Sequence, residues 1–240
     1  ANNEPLRDII LWLDKRTVDP NGAMPAKNMM LFKVAGMEPT AKVVYAASVG
    51  NWIMRHEPKI WARTAKYVML PTYLNYKLTG NLIDSASNQI GHIPFDYKNR
   101  RWMKPGSLTR CFCDVPNEKL CDLVPSGTVI GTITDEVCAL TGIPAGLPLI
   151  STGSDKGCET LGLAVVDSDK ASISLGTTAT IQFSTTEYVE PQQFLPAYPG
   201  VLNDHYNPEI EIYRGLWLLS WFVKAVSYTH LRAHETLSDL

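Results

Sequence analysis

The stretch that most constrains this chain runs from Leu149 to Phe183, LISTGSDKGCETLGLAVVDSDKASISLGTTATIQF. An apolar start, Leu149-Ile150, leads into a Gly-rich turn that carries one carboxylate, Asp155. The pattern predicts a helix over Gly157 to Ala164, then strands over 171–175 and 179–184, joined by Gly176-Thr177-Thr178. Strand, turn, helix and strand in that order argue for an α/β class with mixed sheets. A carboxylate on one turn and a Gly-Thr-Thr loop on another suit phosphoryl-group chemistry. The acid can take a proton from a hydroxyl, and the loop can approach phosphate through backbone N–H groups and Thr hydroxyls. Taken singly, each half also has a plainer reading: Asp155 suits an Asx-turn and Gly176 a hairpin turn.

The bulk numbers narrow the rest. With 240 residues, 45% hydrophobic and 19% charged, the chain can bury a sizeable core and is not of disordered composition. Its 22 Lys and Arg against 24 Asp and Glu give a net charge of −2 with the cations dispersed, which argues against nucleic acid as a partner. Apolar runs are too short to span a bilayer, and ANNEPLRD does not read as a signal peptide. Five cysteines, an odd number in a chain this long, point to a reducing cytoplasm rather than a disulfide framework. Cys111, Cys113 and Cys121 offer three thiols where a closed zinc site wants four ligands, so no metal site is expected there.

Along the chain, Ile9 to Leu13 reads as a buried strand, an unusual start for a domain, so an upstream part is expected. Ala41 to His56 reads as one helix. Ala65 to Leu78 reads as an apolar segment stopped at Thr79-Gly80. Asn81 to His92 is polar and turn-rich, and Phe95 to Trp102 a connector. Asn117 to Leu123 reads as a short helix, Ser126 to Ile133 as an exposed strand, and Asp135 to Thr141 as a helix closed by Gly142. The Gly/Pro cluster at Gly146-Leu147-Pro148 marks the expected domain boundary, with one part over 1–147 and a second over 148–226. Ile212 to Ala225 is apolar and predicted to enter a helix. From about Ser227 the pattern stops. SYTHLRAHET resembles the conceptual translation of a sequencing adaptor, so 227–240 is expected to be non-native and is left out of functional reasoning.

TGSDKG followed by SLGTTATIQF resembles the FGGY family of carbohydrate kinases. Trp12, Asp14 and Arg16 resemble its W-x-D-x-R segment, and Lys66 to Gly80 its segment ending L-T-G. Asp84-Ser85-Ala86-Ser87-Asn88 is loosely similar to its T-D-x-S-N-A-S stretch. Gly215 to Phe222 resembles its G-x-x-L-x-W-F helix. The resemblance covers about residues 5 to 225 and implies an actin-like ATPase (ribonuclease-H-like) fold of two domains, both incomplete here. It implies ATP- and Mg²⁺-dependent phosphorylation of a sugar, polyol or sugar-acid hydroxyl.

Carried over by position, Asp155 is the catalytic base, and Gly176, Thr177 and Thr178 line the ATP phosphates. Trp12 packs on the sugar, where strand core is its plainer reading, and Tyr45 lies near a sugar-contacting aromatic. Lys156 stands where Asn or Gln is usual, which suggests an acidic acceptor; a surface lysine is its plainer reading. The resemblance places a D-x-G-T phosphate loop upstream and an adenine-binding segment downstream, so this chain alone is expected not to turn over ATP. The competing class is a non-catalytic sugar-binding or regulatory protein on the same fold.

Overall fold

Proline and glycine set the limits of most elements. In the computed structural model the described residues are 4–11, 13–176, 178–192, 194–212, 215, 216 and 218–226. The sequence expectations for Trp12, for Thr177 and for the tail 227–240 fall outside them.

The first half is mainly helical. Helix α1 (Ala26–Val34) follows Pro25, and α2 (Glu38–Ala47) has Pro39 in its first turn, where a missing N–H costs nothing. The expected single helix over Ala41 to His56 is two. Ser48 takes an extended conformation and its Oγ accepts from Asn51 N at 3.4 Å, which opens α3 (Val49–His56). A buried cap thus outweighs the continuous apolar pattern. Helix α4 (Pro58–Arg63) follows, and α5 (Leu70–Thr79) ends on Gly80 at φ +79°, the left-handed stop read from Thr79-Gly80.

Short strands then alternate with turns. Strand β1 (Ile83–Ser85) runs into a 3₁₀ turn (Ala86–Asn88), and the connector over Phe95 to Trp102 is a hairpin of β2 (Phe95–Asp96) and β3 (Arg101–Trp102). Asn117 to Leu123 is not a helix throughout. Only Asn117–Lys119 turns, as 3₁₀, before β4 (Asp122–Val124) pairs in parallel with β1. Strand β5 (Val129–Thr132), helix α6 (Asp135–Thr141) and β6 (Pro148–Ile150) come next, with β5 and β6 antiparallel. Thr134 caps α6 through Val137 N at 3.3 Å and Gly142 closes it at φ +77°.

Helix α7 (Asp155–Gly162) leads to β7 (Ala171–Leu175) and β8 (Ala179–Phe183). After β9 (Tyr198–Pro199) and β10 (Tyr206–Asn207), strand β11 (Glu209–Ile212) joins β8 to make an antiparallel sheet in the order β11-β8-β7. A last helix covers 218–226. Ile9 to Leu11 lie outside any strand and are mostly exposed, so the strand read there does not form in this chain.

The apolar core lies in the first half. Phe32, Tyr45, Phe112, Val18, Met24 and Ala41 form one cluster, with Phe32 and Phe112 ring centroids 5.1 Å apart. Burying an aromatic such as Phe32 contributes about 1.5–3 kcal/mol. Further clusters gather around Phe95 and around Val115. No helix among the described residues is long and apolar enough to cross a membrane. All five cysteines are free thiols.

Candidate active site

Asp155 is the first residue of α7 rather than part of an irregular turn. Ser154 sits before it in extended conformation, buried, with its Oγ accepting from Gly157 N at 3.1 Å. That cap satisfies one of the free N–H groups of the first turn and fixes where the helix starts. The carboxylate therefore stands at the N-terminal, positive end of the helix. Its side chain is exposed, and Oδ1 accepts from Lys156 N at 2.8 Å. Among the described residues Oδ2 accepts no hydrogen bond.

Gly176 follows directly on β7, and Thr178 directly precedes β8. A side chain at Gly176 would meet nothing within 4 Å, so the backbone there can be approached closely. Its carbonyl accepts from Leu216 N at 3.1 Å, which ties the loop to the segment before the last helix.

One residue joins the two halves. Lys156 Nζ donates to Ser174 Oγ at 2.8 Å on β7 and to Glu159 Oε2 at 3.0 Å on its own helix. The first turn of α7 and the end of β7 that carries Gly176 are thereby held side by side. Lys156 is thus engaged with Glu159 and Ser174.

Behind this contact lies an open cleft of about 400 Å³ between α7 and the sheet, lined by Lys156, Glu159, Thr160, Ser172, Ser174, Thr180 and Gln182 among others. Polar side chains meet along it, where Thr160 Oγ1 lies 3.2 Å from Ser172 Oγ and also donates to Gln182 Oε1, while Leu163 and Ile173 make part of the lining apolar. Glu209 on β11 borders this layer through Gln182 Nε2 at 3.5 Å. Burial, then the neighbouring Glu211, push its carboxyl above the usual range, while Thr180 and Lys156 pull it down.

Tyr45 belongs to a different part of the molecule. It is buried in the α1–α2 cluster, and its hydroxyl lies 3.5 Å from Arg55 Nη2. Of the W-x-D-x-R segment, Asp14 and Arg16 are described. Arg16 donates to both carboxylate oxygens of Asp14, at 2.8 and 2.7 Å, and stacks 4.4 Å from the Trp52 ring centroid. Among the described residues no group of three or more His, Cys, Asp or Glu side chains could hold a metal ion.

Sequence reading gave no role to two residues behind Asp155. Ser154 had a local signal, a Ser directly before the helix with Gly three positions later. Ser87 stood only within the family-like stretch Asp84 to Asn88, and nothing local marked the bond its carbonyl accepts from Ser154 N at 3.0 Å, because that partner lies far along the chain.

The described architecture has counterparts of known kind. Residues 1–162 match the model of the FGGY family of carbohydrate kinases, N-terminal domain. An uncharacterized sugar kinase of Escherichia coli, YgcE, is 33% identical over 150 residues, covering 62% of this chain and 30% of that protein. Xylulose kinase of Escherichia coli is 24% identical over 237 residues, covering 97% of this chain and 47% of that protein. The crystal structure of xylulose kinase from Rhodospirillum rubrum superposes with a TM-score of 0.66 at 19% identity, covering 83% of this chain and 42% of that one. The chain thus spans less than half the length of these relatives. The likeness in structure gives it part of the actin-like, ribonuclease-H-like fold, and the match over two thirds of its residues gives its descent: the chain belongs to the FGGY family of carbohydrate kinases.

Proposed function

We propose that this chain is a segment of a longer kinase that phosphorylates a sugar, polyol or sugar-acid hydroxyl with ATP, and that Asp155 is its catalytic base. The observation that carries the reading is the seam between Lys156 and Ser174, which sets an exposed carboxylate beside the open Gly176 loop. The xylulose kinases among the relatives make a ketopentose the first acceptor to try. The chain divides between 1–147 and 148–226, so Asp155 and the loop both belong to the second part, in a reducing cytoplasm that suits five free thiols.

The residues present fit a nucleotide phosphate and a hydrated cation. Open space above Gly176 admits a phosphate close to the backbone, and Thr178 beside it carries a hydroxyl that can donate. Mg²⁺ is commonly held by one or two carboxylates together with phosphate oxygens and water, and Asp155 offers one such carboxylate. When bound, ATP supplies the phosphoryl group and Mg²⁺ offsets its charge. Asp155 would take the acceptor hydroxyl's proton at Oδ2 as the hydroxyl oxygen, not the carboxylate, attacks the γ-phosphorus and ADP leaves. The carboxylate needs little tuning, because the hydroxyl loses its proton late. Lys156 would reach an acidic acceptor only by leaving Glu159 and Ser174.

The test is a coupled ADP-release assay on the full-length protein against a panel of pentuloses, polyols and sugar acids. Asp155→Asn should lower kcat by about 10²–10⁴-fold while KM for ATP holds. The 240-residue chain alone should show no sugar-dependent turnover. Sugar binding with no turnover by the unaltered full-length protein would instead mark a non-catalytic binding protein.

A further inference from the structure

Ser87 is where two distant segments meet the helix that carries Asp155. Its carbonyl accepts from Ser154 N at 3.0 Å, and its hydroxyl donates to Gly200 O at 2.7 Å across 113 residues. The residue itself is 4% exposed. Ser154 in turn caps α7 directly before Asp155. One side chain therefore ties the 200–201 loop, and one carbonyl the helix start, to the same point.

The packing there leaves no slack. A side chain at Gly153 would stand 2.7 Å from Val201 Cγ2 and 3.4 Å from the Ser87 carbonyl oxygen. At Gly157, Val201 Cγ2 and Ser154 Oγ would both stand at 3.2 Å. Val201 is thus wedged against the residues on both sides of Ser154 and Asp155, and Ser87 holds Val201's neighbour Gly200 in place. These glycines are small because the loop and the helix start nearly touch.

Ser87 is itself anchored from behind. Its N–H donates to Ser85 Oγ at 3.1 Å, and Ser85 N donates to Asp84 Oδ1 at 2.8 Å. Asp84 is 3% exposed and also accepts from Thr72 Oγ1 at 2.7 Å, Asn88 Nδ2 at 3.2 Å and Gln89 Nε2 at 3.2 Å. A buried carboxylate held by that many neutral donors is stiff, since releasing any of them leaves charge less solvated. A second strut runs from Ser85 Oγ through Ser126 Oγ, 3.1 Å away, to Thr152 O at 3.0 Å. Both struts end within three residues of Asp155.

We propose that Ser87 is a positioning residue for Asp155: braced by Asp84, it locks Ser154 and the 200–201 loop together and so fixes the direction in which the carboxylate leaves α7. The inference rests on the reading of Asp155 as the base. A base displaced by even a fraction of an ångström loses much of its advantage, and a supporting shell of this kind keeps it in range.

Two measurements test it. In the 240-residue chain, Ser87→Ala should speed amide hydrogen exchange at Ser154 to Gly157 and at Val201 by about tenfold or more, with β5 and α6 unchanged. In the full-length kinase, Ser87→Ala and, from the other side of the clamp, Val201→Ala should each lower kcat by about tenfold per folded molecule. KM for ATP should stay within about twofold. Ser87→Thr, which keeps the hydroxyl, should recover most of the loss. Unchanged exchange at Ser154 refutes the mechanical link. Faster exchange with unchanged kcat, or a loss that appears only as less folded protein, refutes the positioning role while leaving Asp155 as base. If Asp155→Asn remains active, both readings fall together.

Discussion

Asp14 shows how much one contact fixes. Arg16 meets it with two side-chain hydrogen bonds and a backbone N–H at 2.9 Å, and these hold its carboxyl at about 2, well below the ordinary 3.8. A depressed folded value means the pair favours the folded state above about pH 4, where the unfolded carboxyl is already ionised, and that this help fades as pH falls through about 2. Following the Asp14 carboxyl by NMR should give a midpoint near 2, and Arg16→Gln should return it toward the ordinary value. A midpoint near the ordinary value in the unaltered chain would mean the pair is open in solution. High salt should weaken the shift, because both groups are reached by water.

Helix ends were the most legible elements, because their signals are local. Gly80 and Gly142 stop α5 and α6 where a left-handed residue is needed, and Thr134 opens α6. The same local reading merged α2 and α3, since Ser48 looks like a helix interior until its burial and its bond to Asn51 N are seen. At Gly50, the second residue of α3, an added Cβ would stand 2.6 Å from Val115 Cγ2, and Val115 is fully buried. Helix propensity favours Gly50→Ala by up to about 1 kcal/mol, less in a first turn. Overpacking against a stiff β-branched side chain costs about 1–3 kcal/mol, so crowding wins. Urea unfolding of Gly50→Ala should show a lower midpoint with the same slope; a raised midpoint would refute the packing argument. Of the strand expected at Ile9 to Leu13, the described Ile9 to Leu11 form none, as apolar residues make a strand only where a neighbour strand accepts their hydrogen bonds.

Across the molecule, the two halves bury different chemistry. The first half packs aromatic and aliphatic clusters. The β11-β8-β7 sheet turns Ser172, Ser174, Thr180 and Gln182 toward α7, and Ile173, Leu175, Ile181, Ile210 and Ile212 toward solvent, each more than 40% exposed. Alternation along β7 and β8 was legible in the sequence, but which face meets the helix was not, since period two is blind to direction. An exposed apolar sheet face of this kind drives association. Sedimentation of the chain at micromolar concentration should show self-association, and Ile173→Glu with Ile210→Glu should shift it toward monomer. A monomeric unaltered chain would refute this.

The bond from Ser87 to Gly200 has a further consequence, in the order of folding. Its two ends are 113 residues apart, and β4, β5, α6, β6, α7 and the β7–β8 hairpin all lie between them. Contacts of such separation close only after the intervening elements have formed, since the entropy of the loop must first be offset. Helix α7 can therefore form before the bond that fixes its start against the 200–201 loop, which puts the orientation of Asp155 late in folding.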